Sequence, residues 1–157
     1  MWILLDIDGV LVPANSWKKP EFMPDGFPVF NSRAVKALQH IIAETNASVI
    51  LTTSHKSKYK VAEWKDLLKT RGISPKKVHR LTTNSLKKTR TEEILEWYKK
   101  KHQPSQEFVI IDDDKMLNGL PEYIKHNLVL TSPSVGLTED LAEDAISILR
   151  NRNFTFS

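Results

Sequence analysis

The chain has 157 residues, 40% hydrophobic and 27% charged, which are ordinary values for one globular domain (residues 1–157) with room for a real core. It has no cysteine, which excludes disulfides, thiolate metal sites and thiol catalysis and makes a reducing, cytoplasmic setting the expectation. A formal charge of +4 permits a polyanionic partner, although solubility explains an excess of that size equally well, and no basic leader or long apolar run points to a membrane.

The first nine residues end in Trp2-Ile3-Leu4-Leu5-Asp6-Ile7-Asp8-Gly9. A short apolar run released by glycine predicts a strand buried on both faces, as in a parallel sheet. Side chains two apart on an extended segment point the same way, so Asp6 and Asp8 converge at the strand's carboxyl end, where open α/β sheets place ligands. Two like charges there need a cation between them, and a divalent metal is the usual one. Taken alone, the same residues also read as a strand and an Asp-Gly turn.

From Leu11 to Asn31, four prolines (Pro13, Pro20, Pro24, Pro28) alternate with Trp17, Phe22, Phe27 and Phe30. That density of proline excludes a long helix or an inner strand. The aromatics predict a folded flap over residues 13–30; a mere aromatic covering of the core is the other reading. Asn31 or Ser32 caps a helix whose apolar stripe is Val35, Leu38, Ile41 and Ile42. Ser48–Thr53 is a second buried-type strand ending in hydroxyls. Lys56, Lys58 and Lys60 then lead into a helix through Val61, Trp64, Leu67 and Leu68, with Gly72 as its stop. Val78–Thr82 is a weaker strand. Thr89 and Glu92 form a capping box at the head of a helix carrying Ile94, Leu95 and Tyr98 and ending in Lys99-Lys100-Lys101. Glu107–Asp112 is the fourth strand, running into Asp113 and Asp114, and Asn127–Leu130 the fifth. Thr138 opens a last helix through Leu141, Ile146 and Leu149.

Strands alternating with helices predict an α/β fold: a three-layer, Rossmann-like parallel sheet of about five strands with helices on both faces. All strand carboxyl ends then share one edge, which gathers Asp6, Asp8, Thr52, Asp112 and Asp113. Each has a bland reading alone: a strand-end hydroxyl, a solvated acidic turn, lysines flanking helices. Together they supply nucleophile, proton donor, hydroxyl, cation and a second acidic cluster for a metal, which are the parts of phosphoryl chemistry.

At these residues the chain resembles the haloacid dehalogenase (HAD) superfamily of phosphohydrolases. Its motifs are matched in order by Asp6-Ile7-Asp8-Gly9-Val10, by Val49-Ile50-Leu51-Thr52, by a cation before the fourth strand, and by Val109-Ile110-Ile111-Asp112-Asp113. Leu51-Thr52-Thr53-Ser54, Arg90 with Glu93-Ile94, and Gly136-Leu137-Thr138 look like the small HAD domains associated with nucleic-acid repair proteins. The resemblance implies that Asp6 attacks phosphorus and Asp8 shuttles the proton. It implies that Mg²⁺ is held by Asp6, the Asp8 backbone carbonyl and Asp112, with Asp113 acting on its water shell, and that Thr52 bonds a phosphoryl oxygen. For the motif's cation, Lys87, Lys88 and Arg90 all stand near the helix start; Lys88 is preferred for the charge, with Arg90 as a phosphate fork. His55 reads as solvent-facing, a contact with the site being the alternative.

The connections after the first and third strands are too short for a cap domain, so a capless enzyme is expected. A phosphorylated nucleic-acid end is the favoured substrate. The grounds are the open site, the flap aromatics available for stacking (Trp17, Phe22, Phe27) and a ring of cations: Lys56, Lys58, Lys87, Lys88 and Arg90. A small-metabolite phosphatase and a non-catalytic phosphate-binding module are the alternatives. A phosphoacceptor receiver domain is rejected, because its paired acids follow its first strand.

Overall fold

A computed structural model describes residues 1–14, 19–81, 88–100 and 106–150. Five strands, β1 (Trp2–Leu5), β2 (Ser48–Leu51), β3 (Val78–Arg80), β4 (Phe108–Asp112) and β5 (Leu128–Leu130), form one sheet in the order β3-β2-β1-β4-β5. Every pairing is parallel, with Leu5 opposite Leu51 on one side and Ile111 on the other. The apolar runs make this arrangement favourable because both faces of the sheet are covered. Ile3, Leu5, Val49, Leu51, Val109 and Ile111 face one core with α1 (Ser32–Thr45), α2 (Val61–Thr70) and α5 (Glu139–Arg150). The intervening Leu4, Ile50 and Ile110 face a smaller core with Ile94 and Trp97 of α3 (Arg90–Lys100).

The helix signals hold. Asn31 accepts hydrogen bonds from the Arg33 and Ala34 amides at the head of α1. Thr89 and Glu92 exchange theirs before α3, and Thr138 precedes α5, accepting from Leu141. The stripes differ in detail. Val61 is exposed on α2, Trp97 joins Ile94 as a buried residue of α3 with Leu95 and Tyr98 packed partly buried against the same core, and Ala142 and Ala145 are buried on α5 with Leu141 partly buried beside them. Two short elements had no sequence signal: a 3₁₀ turn at Lys115–Gly119 and α4 (Glu122–Lys125), both too short for an apolar period.

No second folded unit interrupts the sheet among the described residues, in keeping with the expected capless form. The described part of the flap is a tight hairpin in which Phe22 pairs antiparallel with Pro28 and Met23 with Phe27. Arg71 anchors it from the end of α2, with a guanidinium bonded to both Asp25 oxygens and to the Phe27 and Pro28 carbonyls. Phe27 is buried among Phe30, Tyr59 and Trp64. Both Phe27 and Phe30 therefore follow the core-covering reading, and Phe27 is not available to stack on a base. Phe22 is 62% exposed. Trp17 lies outside the described residues. No described helix is long and apolar enough to cross a membrane.

Candidate active site

The register of the sheet builds the floor of the site. With Leu5 between Leu51 and Ile111, the next residue along each strand brings Thr52, Asp6 and Asp112 side by side, tied by Thr52 N–H to Leu5 O and Asp6 N–H to Ile111 O. All three are buried. Carboxylate oxygens of Asp6, Asp112 and Asp113 lie within 4.8 Å of one another. After Asp6 the chain turns sharply: Gly9 has φ +79°, and a Cβ there would overlap the Asp113 side chain, so only glycine lets the two acidic loops approach. A second loop grips the first from above. Thr131 Oγ1 donates to Gly9 O (2.6 Å) and Leu137 N to Val10 O (2.9 Å), with Gly136 (φ +81°) placed where a Cβ would strike that same Val10 carbonyl.

Arg90, the first residue of α3, reaches over this floor. Its Nη1 is 2.6 Å from Asp112 Oδ2 and 3.6 Å from Asp6 Oδ2. Burial and the neighbouring Asp112 charge push the Asp6 carboxyl up to about 8, against the opposing pull of Arg90. Burial also raises Asp112, partly offset by Arg90. Burial disfavours the Arg90 charge, yet Asp112 and Asp6 together leave it raised. One guanidinium facing three clustered carboxylates leaves the floor short of positive charge. An all-oxygen donor set of this kind suits a hard divalent cation. Among the described residues the fully buried Thr52 hydroxyl has no hydrogen-bond partner, so the floor also holds a donor with nothing to donate to.

Asp8 stands apart from that cluster. Its carboxylate turns to His55, with Oδ2 2.8 Å from His55 Nε2, and both side chains remain half-exposed. The solvent-facing reading of His55 is thus corrected: the turn after β2 carries its ring back to Asp8. Any metal contact by Asp8 would come from its backbone carbonyl, because its carboxylate lies outside the acidic group.

The cations also fall differently from expectation. Lys88, preferred for the phosphate-facing charge, pairs with Glu96 instead. Arg90 is the cation at the carboxylates, because the first turn of α3 aims it at β4. Lys56 is buried against Glu93 at 3.0 Å, with side chains only 9% and 8% exposed. Lys58 lies over the Phe27 and Tyr59 rings. Lys87 lies outside the described residues. The ring of free cations therefore does not exist among the described residues. The sequence reading also passed over Lys115, which lines the cleft beside Asp114. That cleft encloses about 510 Å³ and is walled by Asp6, Asp8, Ser54, Arg90, Asp113 and Pro133. It adjoins a second hollow that shares Ser54, Arg90 and Asp114 with it.

Comparison with curated proteins and with solved structures gave no match. The profile of one family, described as the HAD domain in Swiss Army Knife RNA repair proteins, matches residues 2–142 and so spans every strand and the acidic floor. With its parallel sheet, its acid-ended β1 and β4 and a match over most of its length, the chain belongs to that family of HAD domains.

Proposed function

We propose that this protein is a Mg²⁺-dependent phosphomonoesterase that works through an aspartyl-phosphate on Asp6, with a phosphorylated nucleic-acid end as its substrate. The observation that carries this reading is the floor: clustered Asp6, Asp112 and Asp113 under Arg90, beside an unpartnered Thr52 hydroxyl. Mg²⁺ would be held by Asp6, Asp112 and the Asp8 carbonyl, with Asp113 on its water shell. Bound there, it would supply the positive charge that the buried carboxylates lack and shield a phosphoryl group approaching them.

Asp6 then attacks phosphorus in line with the leaving oxygen, exchanging one hard hydrolysis for two easier displacements. The Thr52 hydroxyl gains an acceptor in a phosphoryl oxygen. Arg90 keeps Asp112 in place and adds positive charge beside the transferred group. Asp8, half-exposed at the cleft mouth, gives a proton to the departing oxygen and later takes one from the water that frees Asp6.

The substrate class rests on the openness of the cleft and on a family named for RNA repair, not on the lysines, of which Lys56 and Lys88 are paired with Glu93 and Glu96 and Lys58 lies over aromatic rings. The test is phosphate release from 3′- and 5′-phosphorylated oligonucleotides, mononucleotides and a phosphopeptide, with and without Mg²⁺ and with Asp6→Asn as control. Mg²⁺-dependent turnover that favours the oligonucleotide, an advantage shrinking as salt rises, is expected. Equal efficiency on mononucleotides would make the enzyme a small-substrate phosphatase. No turnover on any substrate would favour a phosphate-binding module.

A further inference from the structure

The half-exposed Asp8 carboxylate would be free to rotate were it not for one contact. Among the described residues His55 is the only side chain bonded to it. The ring of His55 is itself held: Phe27 meets it edge-on, with centroids 5.7 Å apart at 89°. Phe27 in turn is wedged between Tyr59 and Trp64 under the Arg71 guanidinium, the group that also pins the hairpin through Asp25. Below the ring, the turn is closed by His55 N–H to Thr53 Oγ1 and Lys58 N–H to His55 O. A continuous set of contacts thus runs from the hairpin to one carboxylate oxygen.

We propose that His55 is a positioning residue for Asp8. Its Nε2–H donates to Asp8 Oδ2, leaving Oδ1 as the oxygen that carries the proton to the substrate. The inference rests on the phosphomonoesterase reading above. In the step concerned, an Asp6 oxygen forms a bond to phosphorus while the bond from phosphorus to the ester oxygen breaks. The electron pair stays on that leaving oxygen, and the proton on Asp8 Oδ1 passes to it. A carboxyl group fixed at one oxygen presents the other at a set angle, which a freely rotating one does not. The hairpin therefore acts on the chemistry through Phe27 and His55.

The consequence is specific to the leaving group. An alkyl oxygen leaves poorly without a proton, whereas p-nitrophenolate needs none. The experiment compares kcat/KM, with Mg²⁺, on glycerol phosphate and on p-nitrophenyl phosphate for wild type, His55→Ala and His55→Gln. His55→Ala is expected to lose about a hundredfold on the alkyl ester and less than about threefold on the aryl ester, since positioned proton transfer contributes 10²–10⁴-fold. His55→Gln, whose amide N–H reaches a similar point, is expected to recover most of the alkyl loss. Equal losses on the two esters, no loss on either, a gain in activity, or failure of glutamine to rescue would each overturn the proposal. Wild-type inactivity on both esters would count against the phosphatase reading alone. The hydrogen bond is then judged by imidazole ¹⁵N spectra of the same protein. A His55 Nε2–H signal perturbed by Asp8→Ala supports the bond, and a signal indifferent to that substitution overturns it.

Discussion

The floor and the rim of the cleft are built on opposite terms. Asp6, Thr52 and Asp112 are strand-end residues whose places follow from ladder register, and they are buried in a group with too little positive charge. Asp8 and His55 sit on turns, half-exposed, and owe their arrangement to side-chain contacts reaching back to the hairpin. The sheet thus supplies placement at the cost of electrostatic tension, while the rim depends on packing. Substitutions on the floor should change chemistry and relieve tension without moving the backbone. Substitutions behind the rim should move a side chain without changing charge at the floor.

The largest effect expected is at the floor. Asp6→Asn removes the nucleophile and should lower kcat by about 10³-fold or more, given that losing a nucleophile in a comparable constellation costs about 10⁶. Steady-state phosphate release measures it, and trapping with a phosphate-mimicking fluoride should place the adduct at Asp6; an adduct at Asp8 would reverse the two roles. Behind the rim, Arg71→Ala strips the hairpin of its anchor. The side chain is 2% exposed and bonds both Asp25 and backbone carbonyls, so unfolding free energy should fall by about 2–4 kcal/mol. Urea titration reads this, and an unchanged midpoint would mean that the hairpin is held by its aromatics alone.

A finer test separates the two regions by metal. Asp112→Asn takes a carboxylate out of the floor and should raise the Mg²⁺ concentration for half-maximal activity by at least about tenfold, as even indirect ligand support is worth 10–100-fold. Asp8→Asn keeps the backbone carbonyl and should leave that concentration nearly unchanged while turnover collapses. Matching Mg²⁺ requirements in the two variants would erase the distinction between floor and rim.

The smallest effect is a slope. In the metal-free fold Asp6 holds its proton up to about pH 8, whereas its ordinary value is 3.8. Across that window the native state binds more protons than the unfolded chain, so this group makes stability fall as pH rises. Asp25 has the opposite sign. The hydrogen bond from Arg71 lowers it to about 2, so its contribution is present above 3.8 and is lost as pH falls through about 2. The melting temperature of metal-free protein should therefore decline from about pH 5 to pH 8, and Asp6→Asn should flatten the decline. Mg²⁺ should restore stability most at the alkaline end, because it binds the deprotonated floor. A wild-type profile as flat as that of Asp6→Asn would show that the floor is not under tension.

The floor was legible in the sequence because two periodicities coincide there. Apolar runs such as Ile3–Leu5 and Val109–Ile111 mark strands covered on both faces, and in an all-parallel sheet the acid ending each run must reach the same edge. The rim was not legible, because its contacts join segments with no shared period. His55 looked like a surface histidine because nothing in its neighbourhood names Asp8 as a partner. Arg71, at the end of α2, carries no sequence signal that points to Asp25, 46 residues earlier. The choice between Lys88 and Arg90 turned on helix phase: starting α3 at Arg90 aims it at β4, and Lys88 is left to meet Glu96 further along the helix.

The position of β1 has a consequence for how the protein is made. Of the five strands of the sheet it is the first to be synthesised and the middle one, hydrogen-bonded to β2 on one side and to β4 on the other. A nascent chain can dock β1 on β2 as soon as both have left the ribosome. The opposite edge of β1, apolar and with unpaired amides, must then wait through the synthesis of α2, β3 and α3 until Phe108–Asp112 arrives. During that interval the growing chain carries an open, adhesive strand edge of the kind that recruits other chains. Completion of the acidic floor and the covering of the open β1 edge are therefore the same event, the docking of β4.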